Sequence, residues 1–345
     1  MQKQFRGSLA CVALLAALCN PVSAWDYVGH RLINELALTA LPTNFPAFAR
    51  EKAAVERIQF LSGEPDRWRN NRERGLRHAK NPDHYFDFED LVPFGLAIAD
   101  LNYFRYDFVA QMALARKQHP ERFPADSKPD PDLILGMPGF LPWAINEQFG
   151  QLKSAFAYLK VFDELGTPEE IANARANVIY HMGVIGHFVG DASQPLHTTR
   201  HFNGWVGDNP EGYTTKGSFH AWIDGGFFKK AGGHDRDAML KLIRPARLVD
   251  SKPVTEKVSG EFKSIVDYIH AQHRQVLPLY QLDKAGKLTG EIRGADKTGI
   301  AGKSFLEGQM LNATQFLADL WLTAWQQAPT DFFLRGQLIG RKSDK

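Results

Sequence analysis

The chain has 345 residues, with 41 Lys and Arg against 39 Asp and Glu, and its two cysteines are Cys11 and Cys19. A balance this close to neutral excludes a generally basic nucleic-acid-binding face, so an anionic substrate would have to be drawn in locally, for instance by bound metal. With no thiol after position 19, disulfides and thiolate metal sites are excluded from the rest of the chain, and any metal there is expected to use nitrogen and oxygen donors.

Residues 1–24 are predicted to be a cleaved signal peptide. Lys3 and Arg6 precede an apolar stretch at 9–18, and Pro21 and the small-residue end Val22, Ser23 and Ala24 follow. The stretch is too short for a membrane helix, and no later segment reaches the roughly 18 uncharged apolar residues of a span. A lipid-anchor reading of Cys19 is disfavoured by Leu18, which stands where a small residue is wanted. Removal of the peptide would take both cysteines and two basic residues, bringing the charges to parity, and would leave Trp25 first. The protein is expected to be exported, periplasmic or secreted, with no integral membrane segment and no protein partner. The roughly 320 remaining residues suffice for one domain, expected over 25–336 with an insertion at about 90–140 and a polar tail at 337–345, frayed at 341–345.

The predicted elements are helices. Leu32, Ile33, Leu36, Ala37 and Ala40 form one stripe before Pro42 stops the first helix. Ile145, Phe149, Leu152, Phe156, Leu159 and Phe162 mark a long half-buried helix over 141–165. Thr167, Pro168 and Glu170 read as a capping box that opens a helix running to about Asp191. Two further stripes lie at 256–276 and 305–326, and sustained strand alternation occurs nowhere. The class is all-α, with long loops at 62–83, 119–140 and 198–219 whose aromatics Phe123, Trp205 and Tyr213 are expected to pack onto a single helical body.

His187 and Asp191 are four apart near the end of the capped helix and project from one face, as a metal-binding pair would. His197 follows six residues later, beyond the helix-breaking Pro195, and His220 with Asp224 repeats the four-residue spacing. One such pair is commonly a surface hydrogen bond. Two pairs bracketing a third His point to a metal site, and zinc held by His and Asp without Cys fits a catalytic one. His181 sits on another helical face and is read as a core or supporting residue. His78, His119, His201, His234, His270 and His273 have no partner spacing and are read as surface or packing residues.

This spacing resembles the trinuclear-zinc family of single-strand nucleases (P-one and S-one type) and the related zinc phospholipases C. The family begins with an N-terminal Trp and a His five residues on, matched by Trp25 and His30 directly after the predicted cleavage point. It continues with an Asp and an Arg three residues later, matched by Asp66 and Arg69, and with a His-aromatic-x-Asp motif, matched by His84, Tyr85, Phe86 and Asp87. The motifs cover roughly 25–90 and 170–228.

The resemblance implies a mainly helical domain of that superfamily, with long loops around a metal cleft and three Zn2+ ions. One zinc would be held by Asp66, His84, His187 and Asp191, a second by the Trp25 α-amino group and carbonyl, His30 and Asp191, and a third by His197, His220 and Asp224. A hydroxide shared by two ions would be the nucleophile, oriented by Asp66, with Arg69 stabilising charge near the phosphate. Tyr85 and Asp87 would stack on and hydrogen-bond a base. The implied activity is an endonuclease or 3′-nucleotidase for single-stranded DNA or RNA. A phospholipase C acting at a phospholipid head group is the alternative, and a non-catalytic zinc-binding protein the third reading. The chain departs from the nucleases in an insertion that includes 101–129 and in a loop at 198–219 that lacks their run ending in Gly-Gly-Asn. These departures bear on substrate, while the short Trp25 to His30 spacing favours the nuclease branch.

Overall fold

A computed structural model describes residues 25–124, 129–292 and 297–343. The expected signal peptide at 1–24 lies outside the described residues. Asp26 caps the first helix, α1 (Tyr27–Ala40), by accepting a hydrogen bond from Gly29 N. It is followed by α2 (Lys52–Leu61), α3 (Glu64–Arg69), α4 (Arg74–Lys80) and α5 (Arg105–Gln118). Two long central helices come next, α6 (Leu141–Leu165) and α7 (Pro168–Ser193). The segment α8 (Phe219–Ala221) passes through a π-helical turn (Trp222–Gly226) into α9 (Phe227–Ala231). The remainder is α10 (Arg236–Leu240), α11 (Gly260–His273), α12 (Val276–Lys284), α13 (Ile300–Gln327) and α14 (Phe332–Ser343). Among the described residues there is no strand, only isolated bridges at Phe86 with Gly139 and Thr255 with Val258, so the chain is all-α.

The capping box forms: Thr167 Oγ1 accepts from Glu170 N, and Glu170 Oε2 accepts from Thr167 N. It launches α7, whose last twelve residues, 182–193, are all buried. Helix α7 runs through the middle of the body with α6, α13, α2 and α1 against it. Gly186 and Gly190 make this closeness possible. A Cβ on Gly186 would lie 1.7 Å from Asn34 Oδ1, and one on Gly190 would lie 2.6 Å from His30 Nδ1. No helix among the described residues is long and apolar enough to cross a membrane.

Three expectations are corrected. The segment 62–83 carries α3 and α4 instead of a loop. These helices have no apolar stripe, and α3 is favoured by Pro65 in its first turn, with Glu64 and Asp66 at its start and Arg67 and Arg69 at its end. The stripe at 256–276 begins later, at Gly260, because the Ser259 hydroxyl caps α11 by accepting from Phe262 N. The polar tail is helical through Ser343, with Leu338 buried and Arg341 paired to Glu170 at 2.7 Å. The other two expected loops, around Phe123 and around Trp205 and Tyr213, do pack inward: Phe123 lies 4.7 Å from Phe94, and Trp205 and Tyr213 surround Tyr280.

Candidate metal centre

Helix α7 places His187 and Asp191 one turn apart, with His187 Nε2 3.3 Å from Asp191 Oδ2. His187 donates from Nδ1 to the Ser62 carbonyl at 2.6 Å, which leaves Nε2 as the lone-pair nitrogen. Helix α1 brings in His30, stacked on His187 with ring centroids 4.2 Å apart and its Nε2 3.3 Å from Asp191 Oδ1. A 3-10 turn, Asn81–His84, brings His84 Nδ1 to 2.8 Å from Asp191 Oδ2 and 3.0 Å from His187 Nε2. Helix α3 brings Asp66 Oδ1 to 3.9 Å from His187 Nε2, while Arg69 Nε stands 2.7 Å from the same oxygen.

The remaining three residues form a group of their own. His197, at the end of the 3-10 turn Pro195–His197, donates from Nδ1 to the His84 carbonyl at 2.5 Å, which ties it to the first group. His220 comes from α8, with its ring 4.7 Å from that of His197 and nearly perpendicular to it. The π-helical turn then carries Asp224, whose Oδ2 is 3.4 Å from His220 Nε2. Such turns widen a helix locally and recur at functional sites. Gln194 donates from Nε2 to the other oxygen of Asp224 at 2.7 Å.

The chain thus gathers three groups, buried except for the partly exposed Asp66, that could each hold a metal ion: His30, His187 and Asp191; Asp66, His84 and His187; His197, His220 and Asp224. In each, the donor atoms lie within 4.8 Å of one another. Burial holds these imidazoles neutral, lowering His84 to about 3 and His197 to about 4, and pushing His220 well down. Burial opposes the charge on Asp66 and Asp191 as well. Arg69 and His187 outweigh it at Asp66, and His187, His30 and His84 outweigh it at Asp191, so both stay ionised. His187 is raised despite burial by Asp191 and Asp66, whereas burial raises Asp224.

A divalent ion fits these residues. His84 Nε2, His197 Nε2, both ring nitrogens of His220 and Asp224 Oδ2 are buried without a hydrogen-bond partner. Such orphaned groups cost about 1–3 kcal/mol each unless something else satisfies them. Neutral imidazoles beside carboxylates, all nitrogen and oxygen donors, are the ligand chemistry of zinc and similar dications.

The third group opens, through His197 and His220, onto a cleft of about 440 Å³ that Arg69, Tyr85 and Asp87 also line. Arg69 is 9% exposed and not an ordinary surface arginine. Tyr85 is half-buried and its hydroxyl is raised by burial. Asp87 is buried, and burial together with Asp90 and Glu89 raises its carboxyl well above the usual range. Trp25 is fully buried beside the centre, donating from Nε1 to Ser193 Oγ at 2.8 Å, and the next amide, Asp26 N, donates to the Asp224 carbonyl.

Sequence reasoning missed Gln194, the Ser62 carbonyl, Phe202 and the cleft wall at 134–137, which no local spacing marks. Five of the other histidines have packing roles. His201 stacks on Trp205 at 4.0 Å, His234 lies 4.0 Å from Phe228, His270 and His273 pack on Phe88, and His181 is half-buried against Tyr180. Comparison with protein-family models, with curated proteins and with solved structures gives no match to this chain.

Proposed function

We propose that the protein is an exported zinc-dependent phosphodiesterase, an endonuclease or 3′-nucleotidase for single-stranded DNA or RNA. The observation that carries this is the set of three His/Asp groups, the first two sharing His187 and the third, tied to them through His197 and the His84 carbonyl, lining a cleft that also holds an arginine and a tyrosine. The motif likeness to the trinuclear-zinc nucleases supplies the ligand assignment, with the Trp25 α-amino group and carbonyl joining His30 and Asp191 once residues 1–24 are removed.

Bound zinc would supply an acidified water and positive charge against the phosphate. The chain's own residues do the rest. Asp66, held ionised, accepts a hydrogen bond from the attacking water and aims it. Arg69, braced by Asp66, faces charge that grows on the phosphate oxygens in the transition state. The Tyr85 ring offers a base a stacking face, and the neighbouring buried Asp87 carboxyl can hydrogen-bond it.

The apolar part of the cleft wall, Ile134, Leu135, Met137, Leu196 and Phe202, favours a second reading, a phospholipase C working at a phospholipid head group. One panel separates the readings: metal content together with hydrolysis of single-stranded DNA, RNA, a 3′-nucleotide and phosphatidylcholine micelles. Cleavage of the oligonucleotides, lost with chelator and with Asp66→Asn, is expected. Intact oligonucleotides with released phosphocholine would move the assignment to the phospholipase, and no hydrolysis of any ester would leave a non-catalytic zinc protein.

A further inference from the structure

The insertion that follows His84 contributes a wall to the cleft, through Ile134, Leu135, Gly136 and Met137. This wall is tied down at many points. The Asp130 carboxylate accepts from the Ile134 and Leu135 amides at 2.9 and 3.0 Å, and Arg116 Nη2 donates to the Gly136 carbonyl at 2.8 Å. Arg77 of α4 grips both oxygens of Asp132, with Nη2 at 2.7 Å, and His78 Nδ1 donates to the Asp132 carbonyl at 2.7 Å. The far end is joined to the ligand-bearing strip itself: Asp87 N donates to the Pro138 carbonyl at 2.7 Å. Gly139, at φ +96°, lies so close that a Cβ would sit 2.0 Å from the Tyr85 carbonyl oxygen.

A loop held this firmly needs no apolar side chain in solvent for its own stability, yet Leu135 remains 40% exposed at the cleft. Firm backbone, an exposed apolar tip and direct continuity with Tyr85 and Asp87 are the properties of a preorganised recognition surface. We infer that residues 130–137 form a specificity lip on which Leu135 contacts the base of the substrate beside the scissile phosphate, and that α4 sets its position through Arg77. The inference rests on the phosphodiesterase reading and extends it to residues peculiar to this insertion. The lip touches the part of the substrate that does not react, so it acts on binding and leaves the chemical step alone.

The test compares native protein with Leu135→Ser and Arg77→Ala, one altering the contact and the other its anchor. Substrates are a thymidine dinucleotide and the same dinucleotide with both bases replaced by hydrogen. Binding of thymidine 3′-monophosphate and of inorganic phosphate is measured alongside. Leu135→Ser is expected to lower kcat/KM for the dinucleotide about tenfold through KM, to leave the base-free substrate within about twofold, and to weaken thymidine 3′-monophosphate but not phosphate. Arg77→Ala should act in the same direction. Equal losses on both substrates would mean that the lip is only structural, and no change on either would mean that it is no contact; each overturns the inference. If the native protein hydrolyses neither dinucleotide, the phosphodiesterase reading fails by itself, while the binding contrast still decides the lip.

Discussion

Asp191 Oδ2 lies 2.8 Å from His84 Nδ1, across 107 residues of sequence, and its other oxygen is 3.3 Å from His30 Nε2. One carboxylate therefore touches ligands of two of the three groups, whereas Asp224 lies only within the group with His197 and His220. Asp191→Asn is expected to cost two of three bound ions and Asp224→Asn one. Elemental analysis of the purified variants checks this, and equal losses would contradict the shared role of Asp191.

Gln194 touches no proposed ion but fixes the Asp224 carboxylate and is itself held by Leu196 N. Replacing it with Leu keeps the volume and removes the donor. Affinity at the third group should fall about 10–100-fold, as for other partners of metal ligands, with the other two unchanged. Competition titration against a chromogenic chelator reads the difference.

Trp25 contributes both a buried side chain and, in the proposed mature protein, a terminus. Trp25→Phe loses the bond to Ser193 Oγ and should cost about 1–3 kcal/mol of stability by chemical denaturation while all ions are retained. A protein carrying one extra residue before Trp25 should instead lose an ion and most activity at unchanged stability of the helical body. Full metal content in that protein would remove Trp25 from the ligand set.

For the metal-free protein the pH dependence follows from His84 and His197, held near 3 and 4 by burial against 6.5 when unfolded. Between those values and 6.5 the unfolded chain binds more protons, so stability is full above about 6.5 and falls as the pH drops toward 4. The loss is on the order of a few kcal/mol. His187, raised by Asp191 and Asp66, and the Asp87 and Asp224 carboxyls, raised by burial, work in the opposite direction and offset part of it. Denaturation midpoints with chelator at pH 7.5 and 5 should differ in that sense, and a flat profile would mean that these imidazoles are solvated.

Much of the centre could be read locally because α7 carries it. The four-residue spacing of His187 and Asp191 survives in any helix, and Thr167 with Glu170 fixes where that helix starts. His220 and Asp224 are less regular, since a π-helical turn intervenes, yet their order in the chain still brings them together. His30, Asp66 and His84 come from three other elements, and their approach depends on Gly186 and Gly190 letting α1 settle on α7, a tertiary fact that no spacing encodes. Helices α3 and α4 escaped notice because they lack an apolar stripe. The lip is invisible for a related reason: its position depends on Arg77, Arg116 and Gly139, each distant from Leu135 in sequence or role.

The most direct measurement is hydrolysis of a single-stranded DNA oligonucleotide by protein beginning at Trp25, loaded with zinc, stripped with chelator and reloaded. Fragments with the zinc form, none with the stripped form and fragments again after reloading are the expected result. An oligonucleotide left intact by protein shown to hold three ions would contradict the proposed function.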